Sequence, residues 1–113
     1  MTGEELEMAL IDQSGNLIVD GFADWCGPCE VMSPVLDYLS FKYAGLGVRV
    51  VKFDTEEFPD MANRLGIRSL PTVLFMSDGE VRHRFMGAAP IDHMCALTEW
   101  AYFGGAEPEA LGE

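Results

Sequence analysis

Apolar residues fall in short blocks whose spacing changes along the chain. Leu17 to Ala23 (Leu-Ile-Val-Asp-Gly-Phe-Ala) is a nearly continuous apolar run, which suits a strand buried on both faces. Beyond Cys26 and Cys29, Val31, Met32, Val35, Leu36, Leu39 and Tyr43 recur at helical spacing and form one buried stripe. Gly45-Leu46-Gly47 stops that helix. Pro34 falls within it and predicts a kink rather than an end, because the pattern resumes at once. Val48 to Phe53 reads as a second strand, Thr55 to Leu65 as a helix closed by Gly66, and Thr72 to Met76 as a third strand. Ser77-Asp78-Gly79-Glu80 carries the Asp-Gly signal of a hairpin. Val81 to Met86 then alternates, with Arg82 and Arg84 on one face and Val81, His83 and Phe85 on the other. Pro90 opens a last helix through Phe103, with Ile91, Met94, Leu97 and Ala101 as its buried stripe. At the other end, Glu4 to Leu10 reads as a short helix with Leu6 and Leu10 on one face.

The order α-β-α-β-α-β-β-α predicts an α/β sandwich. Helices between the first three strands imply right-handed parallel crossovers, and the hairpin adds an antiparallel edge strand. A length of 113 residues argues for one domain with its own core. That domain is expected over residues 1–104, with a Gly- and Glu-rich loose tail over 105–113.

Charge removes two classes of partner. The formal net charge is −12, so nucleic acid and anionic membrane surfaces would be repelled. No apolar run approaches the roughly 18 residues of a membrane-spanning helix. Glu4, Glu5 and Glu7 stand where a signal peptide would be basic, so the expected location is cytoplasmic, or else the compartment that a removed leader once reached.

Of three cysteines, Cys26 and Cys29 form a Cys-x-x-Cys pair and Cys95 stands far away. Such a pair invites a metal or a redox reading. Zinc needs four ligands, and His83, His93 and Cys95 supply no second pair of matching spacing, so no metal is expected. The redox reading has a physical basis. Strand, then Trp25-Cys26-Gly27-Pro28-Cys29, then helix puts Cys26 at a helix N-terminus, where N–H groups and the helix dipole favour the thiolate. A two-residue spacer lets Cys29 attack a mixed disulfide formed by Cys26. Cys95, beside Met94 on a helix, reads first as a small core residue, with a reactive role as the competing reading.

From Leu17 to Cys29, then at Pro34, Val51-Lys-Phe-Asp54, Leu65-Gly-Ile-Arg-Ser-Leu-Pro-Thr72, Asp78-Gly-Glu-Val81 and Gly87, the sequence resembles the thioredoxin family over nearly its whole length. The likeness implies a thioredoxin-like three-layer sandwich with a mixed four-stranded sheet. It also implies a protein-disulfide reductase that needs no bound cofactor, acts on disulfide-containing protein substrates and is recharged by a thioredoxin reductase. By the same likeness Cys26 is the nucleophile and Cys29 the resolving thiol. Asp20 is a buried proton shuttle and Lys52 the lysine that tunes it. Pro71 is a cis-proline, and Trp25, Gly27, Pro28, Leu70, Pro71, Gly87 and Ala88 line the substrate groove.

Three departures from the family pattern bear on partners. Too few residues precede Glu4 for the family's first strand, which leaves Val48 to Phe53 as a sheet edge. A monomer is expected, with a dimer through that edge as the alternative. Asp24 and Glu30 put negative charge around Cys26, which disfavours its thiolate and acidic partners. Gly21 stands where the family has a bulkier residue and is expected to leave space beneath the site. Two other functions compete: an oxidant or isomerase on the same fold, and a non-catalytic or chaperone-like binding module.

Overall fold

The computed structural model describes residues 15–110. The helix expected over Glu4 to Leu10, and the question of a strand before it, lie outside them. Strand β1 (Asn16–Phe22) leads into helix α1 (Gly27–Tyr43), which ends in a 3-10 turn (Ala44–Leu46). Strand β2 (Val48–Asp54), helix α2 (Pro59–Arg64), the hairpin β3 (Thr72–Ser77) and β4 (Glu80–Met86), and helix α3 (Ile91–Tyr102) follow. Among the described residues the sheet has four strands in the order β2-β1-β3-β4.

Two cores sandwich this sheet. On one face Met32, Leu36, Leu39 and Tyr43 of α1 and Met94, Leu97 and Ala101 of α3 cover Ile18, Val73 and Phe75. On the other, Met61 and Ala62 of α2, with Ile67, cover Val19, Val51, Phe53 and Leu74. β1 is central, which is why its apolar run is almost unbroken: every residue from Leu17 to Gly21 is buried. Asp20 is the one charged residue in that stretch.

The topology corrects one expectation. β1 and β2 are parallel, but β3 runs antiparallel to β1. Helix length explains the reversal. α2 has six residues, about 9 Å at 1.5 Å per residue, too short to carry the chain back along a strand of about 23 Å. The chain therefore enters β3 from the end at which β2 left, and Thr72 pairs with Gly21 at the top of β1. α2 is shorter than expected because residues 55–58 are held in a turn. Asp54 accepts there from the Glu56 N–H at 2.9 Å, and its carbonyl accepts from the Phe58 N–H at 3.0 Å.

Smaller corrections follow from local geometry. Val31 and Ile91 lie at the rims of their stripes and are exposed rather than buried. In β4, Phe75 pairs with His83 and Met76 with Val81, so Arg82 is the extra residue of a bulge. The two arginines consequently reach opposite faces. Arg82 donates to the Ala101 carbonyl of α3, whereas Arg84 donates to the Leu65 and Gly66 carbonyls after α2.

Candidate active site

The site forms where β1 ends and α1 begins. The strand delivers Ala23, whose carbonyl accepts from the Cys26 N–H at 3.1 Å and turns the chain into the helix. Cys26 is the N-cap of α1, with extended backbone, and its Sγ accepts from the Cys29 N–H at 3.2 Å. The sulfur thus occupies the position at which a Ser or Asp oxygen ordinarily satisfies an orphan helix N–H. A 17-residue helix stands behind it, so the dipole favours negative charge on that atom. Gly27 and Pro28 fill the first two helical positions, where a missing N–H costs nothing.

Cys26 and Cys29 are joined as a disulfide, with Cα atoms 5.2 Å apart. Both are buried and cluster with Ala23, Phe22 and Leu70. Leu70 precedes Pro71 through a cis peptide bond, as expected from the sequence. The Pro71 carbonyl accepts from the Gly87 N–H at 2.9 Å, which ties the loop before β3 to the loop after β4. Gly27, Pro28 and Ala88 are exposed around this junction, and Gly87 is half-buried. Trp25 is 68% exposed and closes one side, its indole Nε1 donating to Glu56 Oε2 at 2.8 Å.

Beneath the pair lies a cleft of about 500 Å³ lined by Asp20, Phe22, Ala23, Cys29, Ser33 and Lys52, with Asp24 and Glu30 at its walls. Cys29 lines it, and Cys26 does not. The Asp20 carboxyl is 1% exposed, and its Oδ1 has no hydrogen-bond partner among the described residues. Burial pushes its pKa up to about 6, against a smaller opposing pull from Lys52. Lys52 sits opposite Asp20 in the β1–β2 ladder. Its ammonium goes elsewhere: it donates to Asp37 Oδ1 at 2.7 Å and Ser33 Oγ at 3.0 Å.

The space expected under Gly21 is filled. A Cβ built there would meet Ile67 Cδ1 at 2.8 Å and Thr55 Cγ2 at 3.2 Å, so a side chain at this position must displace the Ile67 methyl. Cys95 is a half-buried free thiol packed against the α1 core, and its carbonyl lies 3.5 Å from the Tyr43 hydroxyl. Among the described residues no group of three or more His, Cys, Asp or Glu is placed to hold a metal ion. Sequence reasoning missed three contributors: Glu56, Ser33 and Asp37. An acid two residues past a strand end and a Ser-x-x-x-Asp pair on a helix face were visible signals, but nothing in the sequence tied them to Trp25 or Lys52.

The thioredoxin family model matches residues 1–99. The chain belongs to the thioredoxin family. It is 38% identical over 98 residues to thioredoxin C-2 of Corynebacterium nephridii, covering 87% of this chain and 90% of that one. It is 45% identical over 74 residues to the chloroplastic M-type thioredoxin of Pisum sativum, covering 66% of this chain and 42% of that protein. The chain thus spans less than half the length of that relative. Among solved structures, thioredoxin NaTrxh from Nicotiana alata superposes with a TM-score of 0.76 at 29% identity, covering 87% of this chain and 86% of that one. Chloroplastic thioredoxin z gives 0.75 at 34% identity, covering 89% and 90%. The mixed four-stranded sheet between helices is therefore a thioredoxin-like sandwich, with the Cys26–Cys29 disulfide where its first described strand meets its first described helix.

Proposed function

We propose that the protein reduces disulfides in other proteins, with Cys26 as nucleophile, Cys29 as resolving thiol and Asp20 as the base that serves Cys29. The observation that carries this reading is the Cys26 sulfur at the N-cap of α1, accepting the Cys29 N–H. That position favours a thiolate at Cys26 over one at Cys29. The acidic side chains of Asp24 and Glu30 oppose it in part, but both are exposed and screened by water.

In the reduced protein the Cys26 thiolate attacks one sulfur of a substrate disulfide. That bond breaks, a mixed disulfide forms, and the substrate's other sulfur leaves as a thiolate. The Asp20 carboxylate takes the Cys29 proton across the cleft they share. The Cys29 thiolate then attacks the Cys26 sulfur and expels the second substrate thiolate, which is protonated. Two electrons have passed to the substrate, and Cys26–Cys29 has become the disulfide. Leu70, Pro71, Gly87 and Ala88, with Trp25, Gly27 and Pro28, form the surface against which the substrate backbone would lie. Lys52 acts on Asp20 through its charge.

A second protein must return the electrons, and a thioredoxin reductase is the donor we assign. The direction requires a compartment that keeps dithiols reduced, and the cytoplasm is the location we propose. A monomer suffices for this chemistry. The test is the equilibrium reduction potential of the pair in glutathione or dithiothreitol buffers, together with trapping by Cys29→Ser. A potential well below that of the glutathione pool, with substrates accumulating as mixed disulfides, is the expected result. A potential in the range of oxidants would reverse the assigned direction. Undiminished partner binding by a Cys26→Ser/Cys29→Ser variant would favour a binding module instead.

A further inference from the structure

Asp20 and Lys52 are direct neighbours in a parallel ladder, and alternation sends both side chains to the α1 face of the sheet. A buried carboxylate beside a lysine is the setting in which an ion pair ordinarily forms. Here the pair does not form. The ammonium is held by two side chains one turn apart on α1, Ser33 and Asp37. Asp20 keeps an oxygen without a partner, on a cleft that also exposes Cys29.

We propose that Ser33 and Asp37 are positioning residues that hold the Lys52 ammonium away from Asp20, so that the Asp20 carboxylate stays available to accept the Cys29 proton. This rests on the reading of Asp20 as the base. Solvation explains why the cation chooses Asp37. That carboxylate is 67% exposed, so Lys52 keeps part of its hydration there, whereas pairing with Asp20 would bury both charges. A Lys52–Asp20 pair would hold the carboxylate ionised, occupy its oxygens and weaken it as a proton acceptor. The charged and titratable groups around Asp20 are Lys52 from β2, Cys29 and Glu30 from α1, and Asp24 from the intervening loop, with Asp37 behind Lys52. Of these, Lys52 is the cation within reach, so its placement governs how strongly Asp20 holds a proton.

The experiment is a carboxyl-detected NMR titration of Asp20 in the whole chain, as wild type, Asp37→Asn, Asp37→Glu, Lys52→Met and Asp37→Asn/Lys52→Met. Asp37 lies on the surface, and thermal melts confirm folding of each variant. Asp37→Asn is expected to lower the Asp20 midpoint by about half a pH unit or more, as Lys52 turns toward it. Asp37→Glu should restore the wild-type value, and Asp37→Asn/Lys52→Met should titrate together with Lys52→Met, whose midpoint lies above wild type because the pull of the cation is gone. An unchanged midpoint in Asp37→Asn, or a shift that persists without Lys52, overturns the proposal. Stopped-flow measurement of mixed-disulfide resolution against pH tests the parent reading separately. If Asp20→Asn leaves that profile unaltered, Asp20 is not the base, whatever Asp37 does to its titration.

Discussion

The Trp25 indole is anchored to Glu56: Nε1 donates to Oε2 at 2.8 Å, joining the redox turn to the segment that follows β2. The contact spans 31 residues of sequence and holds an aromatic ring that is otherwise largely in water. A ring fixed there presents a preset wall to an incoming polypeptide, whereas a mobile one must be ordered on binding.

Glu56→Ala is therefore expected to act on substrate binding more than on chemistry. Losing one charge-assisted hydrogen bond at an exposed site is worth about 1 kcal/mol, or roughly a fivefold rise in KM for a protein disulfide. kcat should stay within about twofold by the same reckoning, because Glu56 touches neither sulfur. Tryptophan fluorescence anisotropy should fall as the ring gains freedom. Unchanged KM and anisotropy would mean that the ring is held by packing alone.

The range of each interaction decides how legible it is in the sequence. The strand-turn-helix around Cys26 and Cys29 is local, and so the N-cap placement of Cys26 follows from a short stretch of chain. The β1 run is equally local, and a carboxylate at Asp20 stands out within it on apolar pattern alone. Contacts between distant segments were not legible. Gly21 read as space because its filler, Ile67, is 46 positions away, on the loop that follows α2. The direction of β3 turned on the true length of α2, which depends on the Asp54 turn rather than on apolar spacing. The Ser33, Asp37 and Lys52 cluster joins a helix face to a strand, and single-sequence patterns carry no record of such pairing.

Gly21 offers a direct packing test. In Gly21→Val the new side chain meets Ile67 Cδ1 and Thr55 Cγ2, and the surrounding strands leave the backbone little room to retreat. Overpacking of this kind costs about 1–3 kcal/mol. Chemical denaturation should show that loss, and Gly21→Val/Ile67→Ala should recover part of it, because the two sites share one volume. A valine accommodated at no cost would show that Ile67 repacks freely.

Arg84 ties the sheet to the loop that carries the cis-proline. Its Nη2 donates to the Leu65 carbonyl at 2.9 Å and its Nη1 to the Gly66 carbonyl at 3.3 Å, at the C-terminal end of α2. A lysine cannot span both acceptors in the same plane. Arg84→Lys should thus lower stability by about 1 kcal/mol and speed amide hydrogen exchange in residues 66–70. Exchange there that matched the wild type would assign the loop's order to Ile67 packing instead.

Asp20 makes stability and function pull in opposite directions. Its folded pKa of about 6 lies above the ordinary value of 3.8, so the folded state binds its proton more tightly than the unfolded chain does. The sign follows from linkage. Asp20 favours the native state fully only below about pH 3.8, and that advantage is lost as pH rises through 6. A shift of about two units is worth on the order of 3 kcal/mol above pH 7. Asp20→Asn carries no such penalty. Its stability advantage over wild type should therefore grow from near pH 4 to pH 7 and then level off, as read from denaturation midpoints across that range. The same variant should slow resolution of the mixed disulfide, since the amide cannot take the Cys29 proton. An advantage that is flat with pH would mean that Asp20 titrates alike in the folded and unfolded chain, and the buried carboxylate would lose its claim to the proton.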